Sequence, residues 1–272
     1  MMGAIVASDL DRTLVYSARA LALDTPDELA PALVVSEVYQ GAPLSFMTRE
    51  AERLLDGIRT RAEFVPVTTR TPAQYARIAF PAPRPRYAIV SNGGTILVDG
   101  RPDEDRAARL RADVAASSAP LDEIDAVLRD PANAGWVLRV HEADGLFLYA
   151  IVDREAVPTD WLVELGERCH ALGWTISLQG RKLYCVPEPV TKGRAVDELR
   201  ERLGASLVFA AGDSLLDRSL IEAAEIAYRP AHGELEDAGY GASNLTVTDT
   251  RGVLAGEEIL RRISEALTSS GA

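Results

Sequence analysis

Two aspartates separated by one residue, Asp9 and Asp11 in Ala7-Ser8-Asp9-Leu10-Asp11-Arg12-Thr13-Leu14, follow directly on the apolar run Ala4-Ile5-Val6. A short apolar run of this kind reads as a buried strand, and residues two apart in a strand project to the same side. Both carboxylates would then stand at the strand's carboxyl end, where open α/β sheets hold their ligands. Taken alone, the octapeptide is also what a strand running out into a polar turn looks like, so the rest of the chain decides.

Further polar residues recur where apolar runs end. Thr68 and Thr69 follow Glu63-Phe64-Val65-Pro66-Val67, and Asp213 and Asp217 follow Ser206-Leu207-Val208-Phe209-Ala210-Ala211. Lys192 opens the helical stretch that precedes the second of these runs. In a parallel sheet such strand ends converge on one edge. Carboxylates from two strands make a hard, all-oxygen pocket that suits Mg²⁺, which tolerates few protein ligands. A carboxylate nucleophile needs such neutralisation, because it is otherwise repelled by the phosphoryl group it attacks; Mg²⁺ and a lysine ammonium remove that repulsion. Lysine is also rare here: of 29 basic residues only Lys182 and Lys192 are lysine, so 27 are arginine. A compact ammonium is not interchangeable with a guanidinium at a tight site, which marks both lysines as candidates.

The elements that must position these groups follow from periodicity. Leu33 to Tyr39 and Ala42 to Met47 flank Gln40-Gly41 and read as a β-hairpin, and Thr48 reads as the N-cap of a helix with Ala51, Leu54, Leu55 and Ile58 at helical spacing. The runs at 63–67 and at Tyr87-Ala88-Ile89-Val90 enter strands, so strand and helix alternate, as in a parallel sheet. The character changes between about residues 100 and 187. Two helical stretches between Asp103 and Arg129 precede a hairpin (Trp136 to Val140, Leu146 to Val152); a helix from Asp160 to Leu172 and a second hairpin (Trp174 to Leu178, Lys182 to Val186) follow. This predicts an α+β module, residues 100–187, inserted into an α/β core with a parallel sheet made of 1–99 and 188–272.

Composition narrows the function classes. Hydrophobic residues make up 47% and charged residues 26%, ordinary globular values. A net charge of −12 disfavours nucleic acid and anionic membranes as partners. The first apolar run breaks at Asp9 without a basic flank, unlike a signal peptide, and no run is long enough to span a bilayer, so a cytoplasmic protein is expected, as monomer or homodimer. Cys169 and Cys185 have no metal-ligand spacing, and His141, His170 and His232 are scattered, which argues against a zinc site or a serine-histidine triad.

The residues, in this order, resemble the haloacid dehalogenase (HAD) superfamily of phosphohydrolases, whose core is a Rossmann-like parallel sheet. Asp-Leu-Asp-Arg-Thr-Leu at 9–14 resembles its first motif, Val67-Thr68-Thr69-Arg70 its second, Thr191-Lys192-Gly193-Arg194-Ala195-Val196 its third, and Ala210-Ala211-Gly212-Asp213-Ser214-Leu215-Leu216-Asp217 its fourth. The resemblance implies Asp9 as nucleophile, Asp11 as general acid/base, Thr68 on the transferring phosphate, Lys192 as phosphate-binding lysine, and Asp9, Asp11, Asp213 and Asp217 around Mg²⁺. The insertion between the second and third motifs resembles the cap of subclass IIB, which includes Cof-type, sucrose-phosphate and mannosyl-3-phosphoglycerate phosphatases. Ser91-Asn92-Gly93-Gly94-Thr95-Ile96 resembles that subclass's Asn-Gly turn. The implied function is a Mg²⁺-dependent phosphatase of a small phosphorylated metabolite, with Thr69, Arg70, Asn92, Gly93, Arg181 and Lys182 on the substrate; Arg139 and His141 are further candidates on the cap strands.

Some positions depart from the pattern. Arg12 stands where the family usually has Gly, Leu216 stands where Cof-type members often have Asn, leaving a water or Ser214 to complete the metal shell, and the 33–47 hairpin is longer than expected. A phosphomutase would share the core chemistry, and a non-catalytic phosphometabolite-binding protein would share the fold, although both first-motif acids are present. A receiver-type signalling domain also gathers Asp, Thr and Lys, but it has no inserted cap.

Overall fold

The computed structural model describes residues 3–80 and 82–269. The chain divides into two compact units, Met1–Pro102 with Lys192–Ala272, and Asp103–Thr191.

The first unit is built on a five-stranded parallel sheet in the order Leu245–Val247, Ile226–Arg229, Leu207–Ala211, Ala4–Ser8, Glu63–Pro66. The Ala4–Ser8 strand is buried throughout, and its alternate residues enter two different cores. Ala4 and Val6 pack with Leu54, Leu55 and Ile58 of the Arg49–Arg59 helix and with Ile259, Leu260, Ile263 and Leu267 of the Val253–Ser269 helix. Ile5 and Ala7 pack with Ala195, Val196 and Leu199 of the Lys192–Leu203 helix and with Leu220 and Ile221. Helices thus cover both faces, and this is why the central strands read as continuous apolar runs and not as alternating ones. Thr48 caps the Arg49–Arg59 helix by accepting from the Ala51 N–H at 2.9 Å.

One feature of this unit differs from the sequence reading. Tyr87–Val90 contributes only one bridge to the main sheet, Val67 to Ile89; its ladder is antiparallel, to Thr95–Val98, in a small sheet completed by Arg101–Pro102. The connection entering it holds a helix of only four residues, Pro72–Tyr75, and a proline-rich stretch with few free N–H donors. Ser91 and Asn92 then take left-handed backbone angles (φ 51° and 56°), reversing the chain at once. The 33–48 hairpin forms its own sheet with Tyr16–Ser17.

The second unit has a four-stranded antiparallel sheet in the order Trp174–Gln179, Lys182–Pro187, Phe147–Val152, Val137–Ala143. Helices Glu104–Ser117, Leu121–Leu128 and Thr159–Ala171 complete it. Leu148, Ala150, Val152, Leu183 and Cys185 are buried, as are Ile124, Leu128, Leu165 and Cys169 on two of the helices. Tyr149 and its cross-strand neighbours lie at the alternate positions: His141 stacks on Tyr149 at 4.9 Å, Tyr184 is 5.8 Å away, and Lys182 Nζ is 5.6 Å from the Tyr149 ring centre.

Candidate active site

The Ala4–Ser8 and Leu207–Ala211 strands run side by side in parallel, with Ser8 opposite Ala211. Their carboxyl ends therefore deliver Asp9 and the 212–217 turn to the same place, and the Asp9 N–H donates to Ala211 O at 2.8 Å. Lys192 enters from the start of the helix that leads into the second strand. It is fully buried, and its ammonium donates to Asp9 Oδ1 at 2.6 Å and to Asp217 Oδ1 at 2.5 Å. The other Asp217 oxygen accepts from the Asp213 N–H, the Ser214 N–H and the Ser214 hydroxyl at 3.1, 2.9 and 2.7 Å. Asp217 thus fixes both the lysine and the turn that carries Asp213.

Close backbone approach makes this possible. A Cβ on Gly212 would lie 2.3 Å from Asp217 Cβ, and one on Gly193 would lie 2.2 Å from Ser219 O. Gly233 has φ +96°, and a Cβ there would meet Asp213 O at 2.5 Å.

Carboxylate oxygens of Asp9, Asp213 and Asp217 lie within 4.8 Å of one another, all three buried. Burial pushes the Asp9 carboxyl up to about 7 against the pull of Lys192. Burial also raises Asp213 well above the carboxylate range, with Asp9 and Asp217 adding to the effect. Burial would lower Lys192, but Asp217 and Asp9 together hold it above its ordinary range. Three buried carboxylates facing one buried ammonium leave a deficit of positive charge among hard oxygen donors, and these residues fit a divalent cation such as Mg²⁺. With both Asp217 oxygens engaged, Asp9 and Asp213 are the side chains open to it.

Asp11, expected among the metal ligands, is not in that cluster. Its side chain is half exposed, and its two oxygens accept from Arg70 Nε and Nη2 at 2.7 and 2.8 Å. Arg70, expected on the substrate, thus has this fork on carboxylates; Nη2 also reaches Glu37 Oε2 at 2.9 Å. Thr68 is buried and its hydroxyl accepts from the Arg70 N–H at 3.2 Å, while Thr69 is partly exposed. Asn92 is buried and its N–H donates to Thr68 O at 2.9 Å, and Gly93 beside it has φ +93°, so the Asn-Gly turn is tied to the strand end that bears Thr68. Arg181 and Lys182 lie in the second unit, as do Arg139 and His141. The Ser214 hydroxyl, a candidate to complete a metal shell, donates to Asp217.

Arg12 has φ +64°, a left-handed conformation in which glycine is unstrained, and its Nε is 3.5 Å from Asp213 Oδ2. Its carbonyl accepts from His232 Nε2 at 2.9 Å, while His232 Nδ1 accepts from the Gly252 N–H at 3.2 Å. This pair of bonds sets a neutral imidazole with its proton on Nε2, and burial lowers the histidine in the same sense. Sequence reasoning missed His232, Glu37, Ser45 and Arg77. The rarity of histidine was a usable signal for the first; the other three lie in segments whose pattern pointed only to secondary structure.

No protein-family model matches the chain, and no curated protein matches it. Solved structures do. The sucrose-phosphatase from Synechocystis, solved with sucrose and phosphate, superposes with a TM-score of 0.68 at 18% identity, covering 97% of this chain and 98% of that one. A HAD subclass IIB sugar phosphatase gives 0.55 at 14% identity, covering 98% of each chain. The C-terminal domain of the trehalose-6-phosphate phosphatase from C. albicans gives 0.60 at 11% identity over 97% of this chain and 93% of that one. The chain thus shares its fold with these solved phosphatases over 97–98% of its length.

Proposed function

We propose that the chain is a phosphoric monoester hydrolase acting on a small phosphorylated sugar or related metabolite, with Asp9 as nucleophile. The observation that carries this is the buried Asp9 at a strand end, held by Lys192 and clustered with Asp213 and Asp217. Lys192 orients one Asp9 oxygen and neutralises part of the charge. When bound by Asp9 and Asp213, Mg²⁺ would neutralise the phosphoryl oxygens.

In the first step an Asp9 oxygen attacks phosphorus and the bond to the leaving oxygen breaks, with Asp11, protonated on one oxygen while the other stays on Arg70, giving that oxygen its proton. In the second, water attacks the phosphorus of the acyl phosphate, Asp11 takes the water's proton, and phosphate leaves with Asp9 restored. The Thr68 hydroxyl, which accepts from the Arg70 N–H, would donate to a phosphoryl oxygen.

A sugar phosphate is supported by the named activities of the similar structures and by the second unit's sheet. Tyr149, His141 and Lys182, with Arg181 and Arg139 near by in sequence and register, offer an aromatic and basic surface that suits a hydroxylated anion. No helix among the described residues is long and apolar enough to cross a membrane, and we place the activity in the cytoplasm, with the chain as monomer or homodimer.

Phosphate release from a panel of phosphorylated sugars, acids and nucleotides, with Mg²⁺ and with excess chelator, tests this reading. Turnover of a sugar phosphate that needs Mg²⁺ and is lost in Asp9→Asn is expected. Turnover independent of both Asp9 and divalent cation would overturn it, and transfer of phosphate between positions of one sugar, without release, would identify a phosphomutase.

A further inference from the structure

Glu37 lies in the middle of the Leu33–Tyr39 strand and is fully buried, a position that a carboxylate holds only with compensating partners. It has three. Oε1 accepts from Arg77 Nε at 2.8 Å, and Oε2 accepts from Arg70 Nη2 at 2.9 Å and from the Ser45 hydroxyl at 3.1 Å. The strand is bulged at this residue: its register shifts between Val35 and Glu37 and again between Glu37 and Val38. That breaks the in-out alternation, so that both Ser36 and Glu37 are buried. The 77–79 segment pins the bulge, with Glu37 bridged to Ile78, the Ala79 N–H donating to Ser36 O at 2.8 Å, and Arg77 lying over the Tyr39 ring at 4.6 Å.

Arg70 joins this anchor to the candidate active site. The same Nη2 that meets Glu37 also donates to Asp11 Oδ1, and Nε donates to Asp11 Oδ2. The guanidinium is rigid and planar, so a fixed bond on one edge sets the plane presented on the other.

We propose that Glu37 is a positioning residue for the acid/base Asp11, acting through Arg70, and that the long 33–48 hairpin supplies this part of the machinery. The inference rests on the phosphatase reading above. Burial pushes the Glu37 carboxyl up, but bonds from Arg70 and Arg77 bring it below the ordinary range, so it stays an anion against both guanidinium groups.

The chemistry separates this role from a structural one. Asp11 must protonate the oxygen that departs as its bond to phosphorus breaks while the Asp9 oxygen forms the new one. A sugar alkoxide needs that proton, whereas nitrophenolate leaves without it. Misaligning Asp11 should therefore slow Asp9 phosphorylation by a sugar phosphate far more than by p-nitrophenyl phosphate.

The test is Glu37→Gln on the full chain with saturating Mg²⁺. Rapid-quench single-turnover kinetics with both substrates read the phosphorylation step itself. The expected result is a loss of about 10- to 100-fold for the sugar phosphate, a part of the roughly 100- to 10,000-fold that an acid/base group contributes, and of less than about threefold for the aryl ester. A variant that merely folds less well lowers both rates by the same factor, so an unchanged ratio between substrates would overturn the proposal. If Glu37→Gln is recovered unfolded, Arg70→Lys answers the same question, because a single ammonium does not reproduce the fork that spans Glu37 and Asp11. It should shift the ratio in the same direction, and an unchanged ratio would again overturn the proposal. Absence of all phosphatase activity in the unaltered protein would instead remove the phosphatase reading itself.

Discussion

Lys192 Nζ stands 2.6 Å from Asp9 Oδ1 with no exposed surface, although the two residues are 183 positions apart in the chain. The ammonium is shared with Asp217, whose second oxygen holds the turn bearing Asp213. One cation therefore organises three carboxylates from two strand ends, and its removal has consequences for both folding and chemistry.

Lys192→Met, similar in size, leaves Asp9 and Asp217 buried without their ammonium. Breaking a buried ion pair from one side costs about 3–5 kcal/mol. The expected outcome is a lower urea midpoint without divalent cation, partly restored by Mg²⁺, and a fall in turnover of at least about 100-fold. Lys192→Arg should not rescue activity, since a planar fork does not reproduce the compact ammonium that meets Asp9 and Asp217 at this fully buried position. Wild-type turnover in either variant would show that the ammonium is not needed.

The raised carboxyls give the metal-free protein a pH dependence with a definite sign. Asp9, facing Lys192, Asp217 and Asp11, is pushed up to about 7, and Asp213, facing Asp9, Asp217, Arg12 and Lys192, is raised too. A carboxyl whose folded-state value exceeds its unfolded value binds its proton more tightly in the fold, so stability falls as pH rises from the unfolded value toward the folded one. Glu37 and Glu258 shift the other way, and their contribution is lost only as pH falls through their lowered values. Between pH 5.5 and 8 the two aspartates are opposed by His232, whose imidazole is lowered by burial and adds stability as pH rises toward its unfolded value, and we expect the pair of carboxyls to outweigh it. Without divalent cation the melting temperature should decline across this window, and the rise produced by Mg²⁺ should be larger at pH 8 than at pH 5.5. Equal rises at both pH values would contradict the assignment of Asp9 and Asp213 to the cation.

Much of this arrangement was legible in the sequence because it rests on short-range patterns. The apolar runs ending at Asp9 and Asp213, the lysine opening a helix and the Thr48 cap are local signals, and strand order brings their ends together. Glu37 was not legible. Its burial depends on a bulge that breaks the alternation used to read the hairpin, and on partners at Arg70 and Arg77 that only the folded chain brings close. The antiparallel pairing of Tyr87–Val90 was hidden for a related reason: its run is as apolar as a parallel core strand, and the reversal that decides the pairing lies in the backbone angles of Ser91 and Asn92. The engagement of Asp11 by Arg70 was not legible either, because spacing shows which carboxylates share a strand end, not which of them an arginine occupies.

Gly193 tests how tightly the lysine helix is seated. Alanine would normally favour a helix interior by about 0.5–1 kcal/mol. Here its Cβ would fall 2.2 Å from Ser219 O, a backbone atom that cannot swing aside. Gly193→Ala is therefore expected to destabilise by about 1–3 kcal/mol, against its propensity, and to displace neighbouring Lys192 enough to lower turnover. Urea unfolding followed by circular dichroism measures the first effect, and a stabilised variant would show that the helix can shift without cost.

Arg12 offers the last test, because its backbone and its side chain act at different levels. With φ +64° it occupies a region that costs a non-glycine residue about 1–2 kcal/mol, and its guanidinium sits 3.5 Å from Asp213 Oδ2, an oxygen assigned above to the cation. A positive group there competes with a divalent ion for the same carboxylate. Its side chain is 43% exposed, so solvent screens the effect and a change of about fivefold in affinity is the appropriate scale. Arg12→Gly should relieve the backbone cost and remove the competitor together, while the carbonyl that His232 holds remains in place. The expected outcome is a protein at least as stable as the original, binding Mg²⁺ about fivefold more tightly by calorimetry. Arg12→Ala separates the two effects: it should gain the same affinity but keep the strain, and so melt at a lower temperature than the glycine variant. Weaker Mg²⁺ binding in both variants would show that Arg12 supports the cation site and does not compete with it.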